Sequence, residues 1–141
     1  MQVSGTSCQM KEIHRVMTKT KKITIEEMWE QQREFMELLK KERGFAEFPV
    51  DISSKKGQQF LEGIAFHMMR ELFEAFAHLR NKSHRVTEDG HVDMQAYTEE
   101  LSDVFHLFIE ICIASGITCE DFTKMYFDKG EKNSVRIASG Y

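Results

Sequence analysis

The sequence predicts an all-α fold, a helical bundle of four to five helices completed by dimerisation. Three observations carry this. Apolar residues recur at helical spacing over long stretches, strand-like alternation is absent, and the 141 residues contain a single proline. The length is that of one domain with one core, 41% of the residues being hydrophobic and 30% charged. Helices this amphipathic in so short a chain leave core-like surface to be shared between subunits.

Residues 1–23 read as a basic N-terminal arm, mobile or weakly helical, in which Lys11, Arg15, Lys19, Lys21 and Lys22 are interrupted only by Ile13, Val16 and Met17. The folded domain is assigned to residues 24–141. Its first helix starts at Thr24-Ile-Glu-Glu27, where threonine and glutamate can each satisfy a backbone N–H of the other's residue, a capping box. Ile25, Met28, Trp29, Gln32, Phe35, Met36 and Leu39 mark one face as far as Lys41. Gly44 to Ser54, with the proline, is a loop. The second helix runs from Lys56 to Leu79 on a stripe of Phe60, Leu61, Ile64, Met68, Leu72, Ala75 and Leu79. Asn81 to Val92 is a polar connection with a turn at Asp89-Gly90. The third helix spans Asp93 to Ser115, with Tyr97, Leu101, Val104, Phe108, Ile111 and Cys112 on its apolar side and Gly116 as its stop. A short fourth helix after Thr118 carries Phe122, Met125 and Tyr126, and residues 128–141 are expected to be a polar, irregular tail.

A formal net charge of −4 argues against a dedicated nucleic-acid binder, which would carry a basic surplus. No apolar run reaches the ~20 residues of a membrane span, and the first 23 residues lack the apolar core of a signal peptide. Cys8, Cys112 and Cys119 are odd in number and lack metal-ligand spacing, so the expected compartment is reducing and cytoplasmic.

Two acidic doublets carry the chemistry. Glu71-Leu-Phe-Glu74 and Glu100-Leu-Ser-Asp103 each place two carboxylates one turn apart on an otherwise apolar helix. If the helices pack together, four carboxylates converge. Two like charges about 4 Å apart repel by roughly 1 kcal/mol in water and about 4 kcal/mol at an effective dielectric near 20. Such a cluster calls for cations, and all-oxygen donors select hard ones, Mg²⁺ first and Mn²⁺ next. The site so formed suits phosphates. Glu-x-x-Glu is also common on solvated helix faces, but here Met68, Met69, Leu72 and Phe73 flank one doublet and Leu101, Val104, Phe105 and Leu107 the other.

A di-iron site is a rival reading, since Asp103-Val-Phe-His106 approximates a carboxylate-x-x-His element and His78 lies a turn beyond Glu74. Di-iron bundles use two Glu-x-x-His elements and two further glutamates, and only one approximate element is present. His67, His78 and His106 therefore read as polar neighbours of the site rather than ligands. Lys82 and Arg85 at the end of the second helix, with Lys129, Lys132 and Arg136 in the tail, supply positive charge of the kind a triphosphate requires.

Taken together these residues resemble the all-helical nucleoside triphosphate pyrophosphatases, and within them the dimeric dUTPase family, related to the MazG-like enzymes. The resemblance covers roughly residues 24–141. Both acidic doublets match the paired metal motifs. Asn81-Lys82-Ser83-His84-Arg85 stands where the family alternates basic residues with tryptophans, and Tyr126, Lys129, Asn133, Arg136, Gly140 and Tyr141 follow the spacing of a C-terminal signature. Gln31-Gln32 followed by Phe35 resembles the glutamine motif near the nucleobase pocket.

The resemblance implies hydrolysis of a nucleoside triphosphate, dUTP foremost, to the monophosphate and pyrophosphate, and at least a homodimer. It implies metal ligation by Glu71, Glu74, Glu100 and Asp103, with Glu74 taking the proton of the attacking water. Lys82, Arg85, Lys129 and Arg136 would neutralise the phosphates, and Gln32 and Asn133 would recognise base or sugar. Asn81 and His84 replace expected tryptophans, Leu107 an often aromatic residue, and Gly130 an asparagine. Those departures loosen the expected selectivity and keep a MazG-like enzyme with other nucleotide substrates as the alternative. A non-catalytic interaction module is a further alternative; it would have no reason to bind Mg²⁺ or a nucleotide.

Overall fold

The computed structural model describes residues 22–79 and 92–140. The described residues form four helices: α1 (Ile25–Arg43), α2 (Lys55–His78), α3 (Met94–Ala114) and α4 (Cys119–Ala138). No strand occurs among the described residues. The all-α expectation holds. The basic arm, apart from Lys22 and Ile23, and Asn81 to His91 lie outside the described residues.

Each helix begins on a side-chain cap. Thr24 completes the expected box with Glu27, the Thr24 N–H donating to the Glu27 carboxylate over 3.0 Å. Ser54, Asp93 and Thr118 accept from the backbone N–H groups of Gly57, Ala96 and Asp121. These bonds satisfy first-turn donors that the helix itself leaves open. Gly57 has no room for a side chain: a Cβ would stand 2.0 Å from the carbonyl oxygen of Asp51. The absence of one lets the loop before α2 fold back over its first turn. Gly116 at φ 78° takes the left-handed turn that ends α3, and its N–H reaches the Ile113 carbonyl over 3.0 Å.

α2 and α3 lie against each other along most of their length, and α1 crosses α3. The stripe foreseen for α2 is the one buried, with Ile64 and Ala75 deepest. The core gathers Trp29, Met36, Ile64, Ile109, Cys112, Ile113 and Ala114. On α1 the buried face is narrower than the sequence pattern, since Met28 and Phe35 stay exposed beside buried Trp29, Gln32 and Met36. The loop closes one end of the bundle. The Val50 N–H donates to the Ala114 carbonyl over 2.8 Å, and the Phe45 ring meets Phe60 edge-on at 5.3 Å.

The C-terminal region corrects the sequence reading. Instead of a short helix and an irregular tail, α4 continues as one helix through residues 128–138. Gly130 and Asn133 lower helix propensity by about 1 kcal/mol or less each, which weakens a helix without ending it. The stop comes at Ser139 and Gly140, the latter at φ 76°. Phe122 anchors α4 against Trp29 and Phe108, with ring centroids 5.5 and 5.3 Å apart. Beyond it, Met125, Tyr126, Phe127, Val135 and Ile137 are all exposed.

Candidate active site

The long α2–α3 contact decides the site, because it turns the two acidic doublets toward each other. One carboxylate oxygen each from Glu71, Glu74 and Glu100 lies within 4.8 Å of the others. Asp103 joins them from the next turn of α3, lining the same cavity as Glu71 and adding its charge there. Burial, then the charges of Glu74, Glu100 and Asp103, then a hydrogen bond with Glu100 hold the Glu71 carboxyl above its ordinary range. Like charges assembled this closely favour either a proton or a cation. The donor set is all oxygen and carries no thiolate or imidazole, which fits a hard divalent ion. His78 stands beside the cluster, its Nε2 3.7 Å from Glu100 Oε1.

Next to the carboxylates opens a cavity of about 460 Å³, lined by Gln31, Gln32 and Phe35 of α1, Glu71 of α2, and Asp103, His106, Leu107 and Glu110 of α3. Its floor is polar and buried. Gln32 is 2% exposed and Glu110 6%. The Gln32 amide donates from Nε2 to Glu110 Oε2 over 3.2 Å, and its Oε1 lies 2.9 Å from His106 Nδ1. Burial pushes the Glu110 carboxyl upward, and the bond from Gln32 draws it partly back. Burial also raises the Cys112 thiol and, with the charge of Glu26, that of Cys119, which makes both poor nucleophiles at neutral pH.

Several site expectations meet here. Glu71, Glu74 and Glu100 come together as foreseen, Asp103 adjoins them, and Gln32 reaches the cavity. His106 is a neighbour, bonded to Gln32. Lys129, Asn133 and Arg136 do not line this cavity. Lys129 and Asn133 border a groove on α4 with Phe122 and Tyr126, and Arg136 lies in a second groove with Lys132 and Asp128. Lys82, Arg85, Asn81 and His84 lie outside the described residues. No lysine or arginine lines the cavity among the described residues.

Sequence reasoning missed Glu110. The signal was available: a lone carboxylate between Phe108-Ile109 and Ile111-Cys112-Ile113, seven residues after Asp103 and so on the same helix face. An ionisable group in so apolar a run is buried with a partner or tied to function.

A sequence model described as dUTPase matches residues 2–141. The chain belongs to the dUTPase family. No curated protein and no solved structure matches it in the corresponding comparisons. The dUTPase family is one of dUTP diphosphatases, and its member here is a hydrolase of nucleotide metabolism with an all-helical fold. Membership sets aside the purely non-catalytic reading. No single helix among the described residues is long and apolar enough to cross a membrane.

Proposed function

We propose that this dUTPase-family chain hydrolyses dUTP to dUMP and pyrophosphate with Mg²⁺, or Mn²⁺ in its place, held by Glu71, Glu74, Glu100 and Asp103. The observation that carries the reading is the convergence of three glutamate oxygens within 4.8 Å beside a cavity floored by a buried amide. Divalent ions bound there supply Lewis-acid polarisation of phosphate oxygens and a more acidic water.

The residues of the chain do the rest. Glu74, the most exposed carboxylate of the trio, takes the proton from the attacking water. Gln32 meets the nucleobase with groups that both donate and accept. Lys82, Arg85, Lys129 and Arg136 neutralise the phosphate chain, arginine gripping two oxygens at once, and Asn133 contacts base or sugar. The α4 groups do not line the cavity of their own subunit, and this supports a homodimer in which core-like faces are shared. A covering partner would also bury Phe66, Met69, Phe73 and Phe76, which line one exposed face of α2. Free thiols at Cys112 and Cys119 support a reducing, cytoplasmic setting.

The test is release of monophosphate and pyrophosphate from a panel of canonical and modified nucleoside triphosphates with Mg²⁺. Cleavage between the α and β phosphates predicts pyrophosphate as the first product; orthophosphate first would contradict the assignment. A MazG-like preference is the second reading, favoured by Leu107 on the cavity wall instead of a bulky aromatic. It would show as turnover of other nucleotides without turnover of dUTP.

A further inference from the structure

The floor of the cavity is a directed chain of hydrogen bonds. A side-chain amide has a donor end and an acceptor end of nearly the same shape, so something must decide which way Gln32 points. Glu110 accepts from Gln32 Nε2 over 3.2 Å, while Gln32 Oε1 sits 2.9 Å from His106 Nδ1. An ionised carboxylate can only accept. It therefore draws the NH₂ of Gln32 to itself, turns the carbonyl toward His106, and requires the proton of a neutral His106 ring to sit on Nδ1. The second N–H and second lone pair of the Gln32 amide, with the lone pair of His106 Nε2, remain for a ligand.

We infer that Glu110 is a positioning residue for nucleobase selectivity: acting through Gln32, it fixes the direction of the Glu110–Gln32–His106 chain and hence the donor–acceptor pattern offered to the base. The inference rests on the reading of the cavity as the nucleobase site. Keto and amino pyrimidines differ in that pattern. A 4-keto ring presents an acceptor beside a ring N–H, whereas a 4-amino ring presents a donor beside a bare ring nitrogen. A chain of fixed direction favours one of them. With both members neutral amides, as in Glu110→Gln, either direction is allowed and the preference narrows. Gln32 and Glu110 are largely withdrawn from bulk water, so a wrong partner that leaves one of their polar groups without a bond carries a desolvation cost.

The experiment combines kinetics with spectroscopy on the full-length protein. Steady-state kcat/KM for dUTP and dCTP with saturating Mg²⁺ is measured for wild type, Glu110→Gln, Gln32→Ala and the double variant. Long-range ¹H–¹⁵N spectra, at a pH where the ring is neutral, report which nitrogen of His106 is protonated. The expected result is an Nδ1–H ring in wild type and a tautomer mixture in Glu110→Gln. The dUTP/dCTP ratio should drop by about tenfold or more, mainly through KM for dUTP, because hydrogen-bond readout is the strongest source of such discrimination. In the Gln32→Ala background the second substitution should leave the ratio unchanged, the signature of two residues acting as one unit. A merely structural Glu110 would lower turnover of both nucleotides alike and leave the ratio in place, which overturns the inference. An Nε2–H ring in wild type overturns it as well. A wild-type protein that leaves dUTP intact would defeat the assigned substrate, while the tautomer spectra would still decide the role of Glu110.

Discussion

His78 Nε2, in the last turn of α2, lies 3.7 Å from Glu100 Oε1 on α3. The two helices are thus joined across the acidic cluster, at the level where Glu71 and Glu74 face Glu100. Removing one carboxylate should cost the site its cation and leave the bundle standing. Glu71→Gln is expected to reduce metal-dependent turnover by at least about 10- to 100-fold, the loss usual for outlying partners of metal ligands serving as a lower bound. Far-ultraviolet circular dichroism should be unchanged. Near wild-type turnover at saturating Mg²⁺ would locate the ions elsewhere.

The same cluster predicts stabilisation by metal alone. A ligand that binds only the folded state at a hundredfold excess over its Kd adds about 2.7 kcal/mol. Mg²⁺ or Mn²⁺ should therefore raise Tm in the absence of nucleotide, and a chelator should reverse the rise. Glu71→Gln should blunt the response, and an equal rise in that variant would count against ligation by Glu71.

Glu110 gives a pH signature. Its folded-state carboxyl is held above its ordinary value of 4.5, chiefly by burial. The folded protein then binds this proton more tightly than the unfolded chain does, so the contribution is fully present below the ordinary value and is lost as pH rises through the folded one. Thermal denaturation of wild type and Glu110→Gln across that range should show wild type losing stability with rising pH relative to the variant. Parallel curves would mean that Glu110 is not desolvated.

Met36 is completely buried in the core facing α3. Met36→Ala should destabilise the fold by about 2–5 kcal/mol, the usual range for emptying such a site. Urea titration measures it. A loss below about 1 kcal/mol would indicate a loosely packed centre.

The apolar face on α2 predicts an assembly effect. Phe73 is 66% exposed, with Phe66, Met69 and Phe76 beside it at helical spacing. Phe73→Glu should shift the sedimentation profile toward monomer and leave the helical content intact. An unchanged profile would remove this face from the interface of the proposed homodimer.

Helices α1 to α3 could be read from sequence to within about two residues because each carries a long apolar stripe at helical period, with a cap or stop signal added at some of their ends. The Thr24 box and Gly116 show this directly. The acidic cluster was equally accessible, since two i, i+3 doublets on packed helices have few ways to avoid one another. The expectation for α4 stopped short because residues 128–141 are polar and end-exposed and lack the apolar stripe that marks the other helices. Yet Tyr126, Lys129, Asn133 and Arg136 are spaced three, four and three apart, which is one face of a helix. The Gln32–Glu110 bond joins residues 78 apart in sequence, and no local pattern specifies a pairing made only when α1 crosses α3.

A continuous α4 changes what motion at the C-terminus can mean. Its polar groups cannot fold over a ligand one by one, because they share a single rod seated in the core at Cys119 and Phe122. Arg136 lies about 21 Å along the axis from Phe122, so a 10° pivot at that seat carries its backbone through about 4 Å. Lys129 travels half that distance on the same swing. Small rearrangements among Trp29, Phe108 and Phe122 would thereby be amplified into coordinated displacement of the far cations, with the stiffness of that aromatic joint limiting the swing.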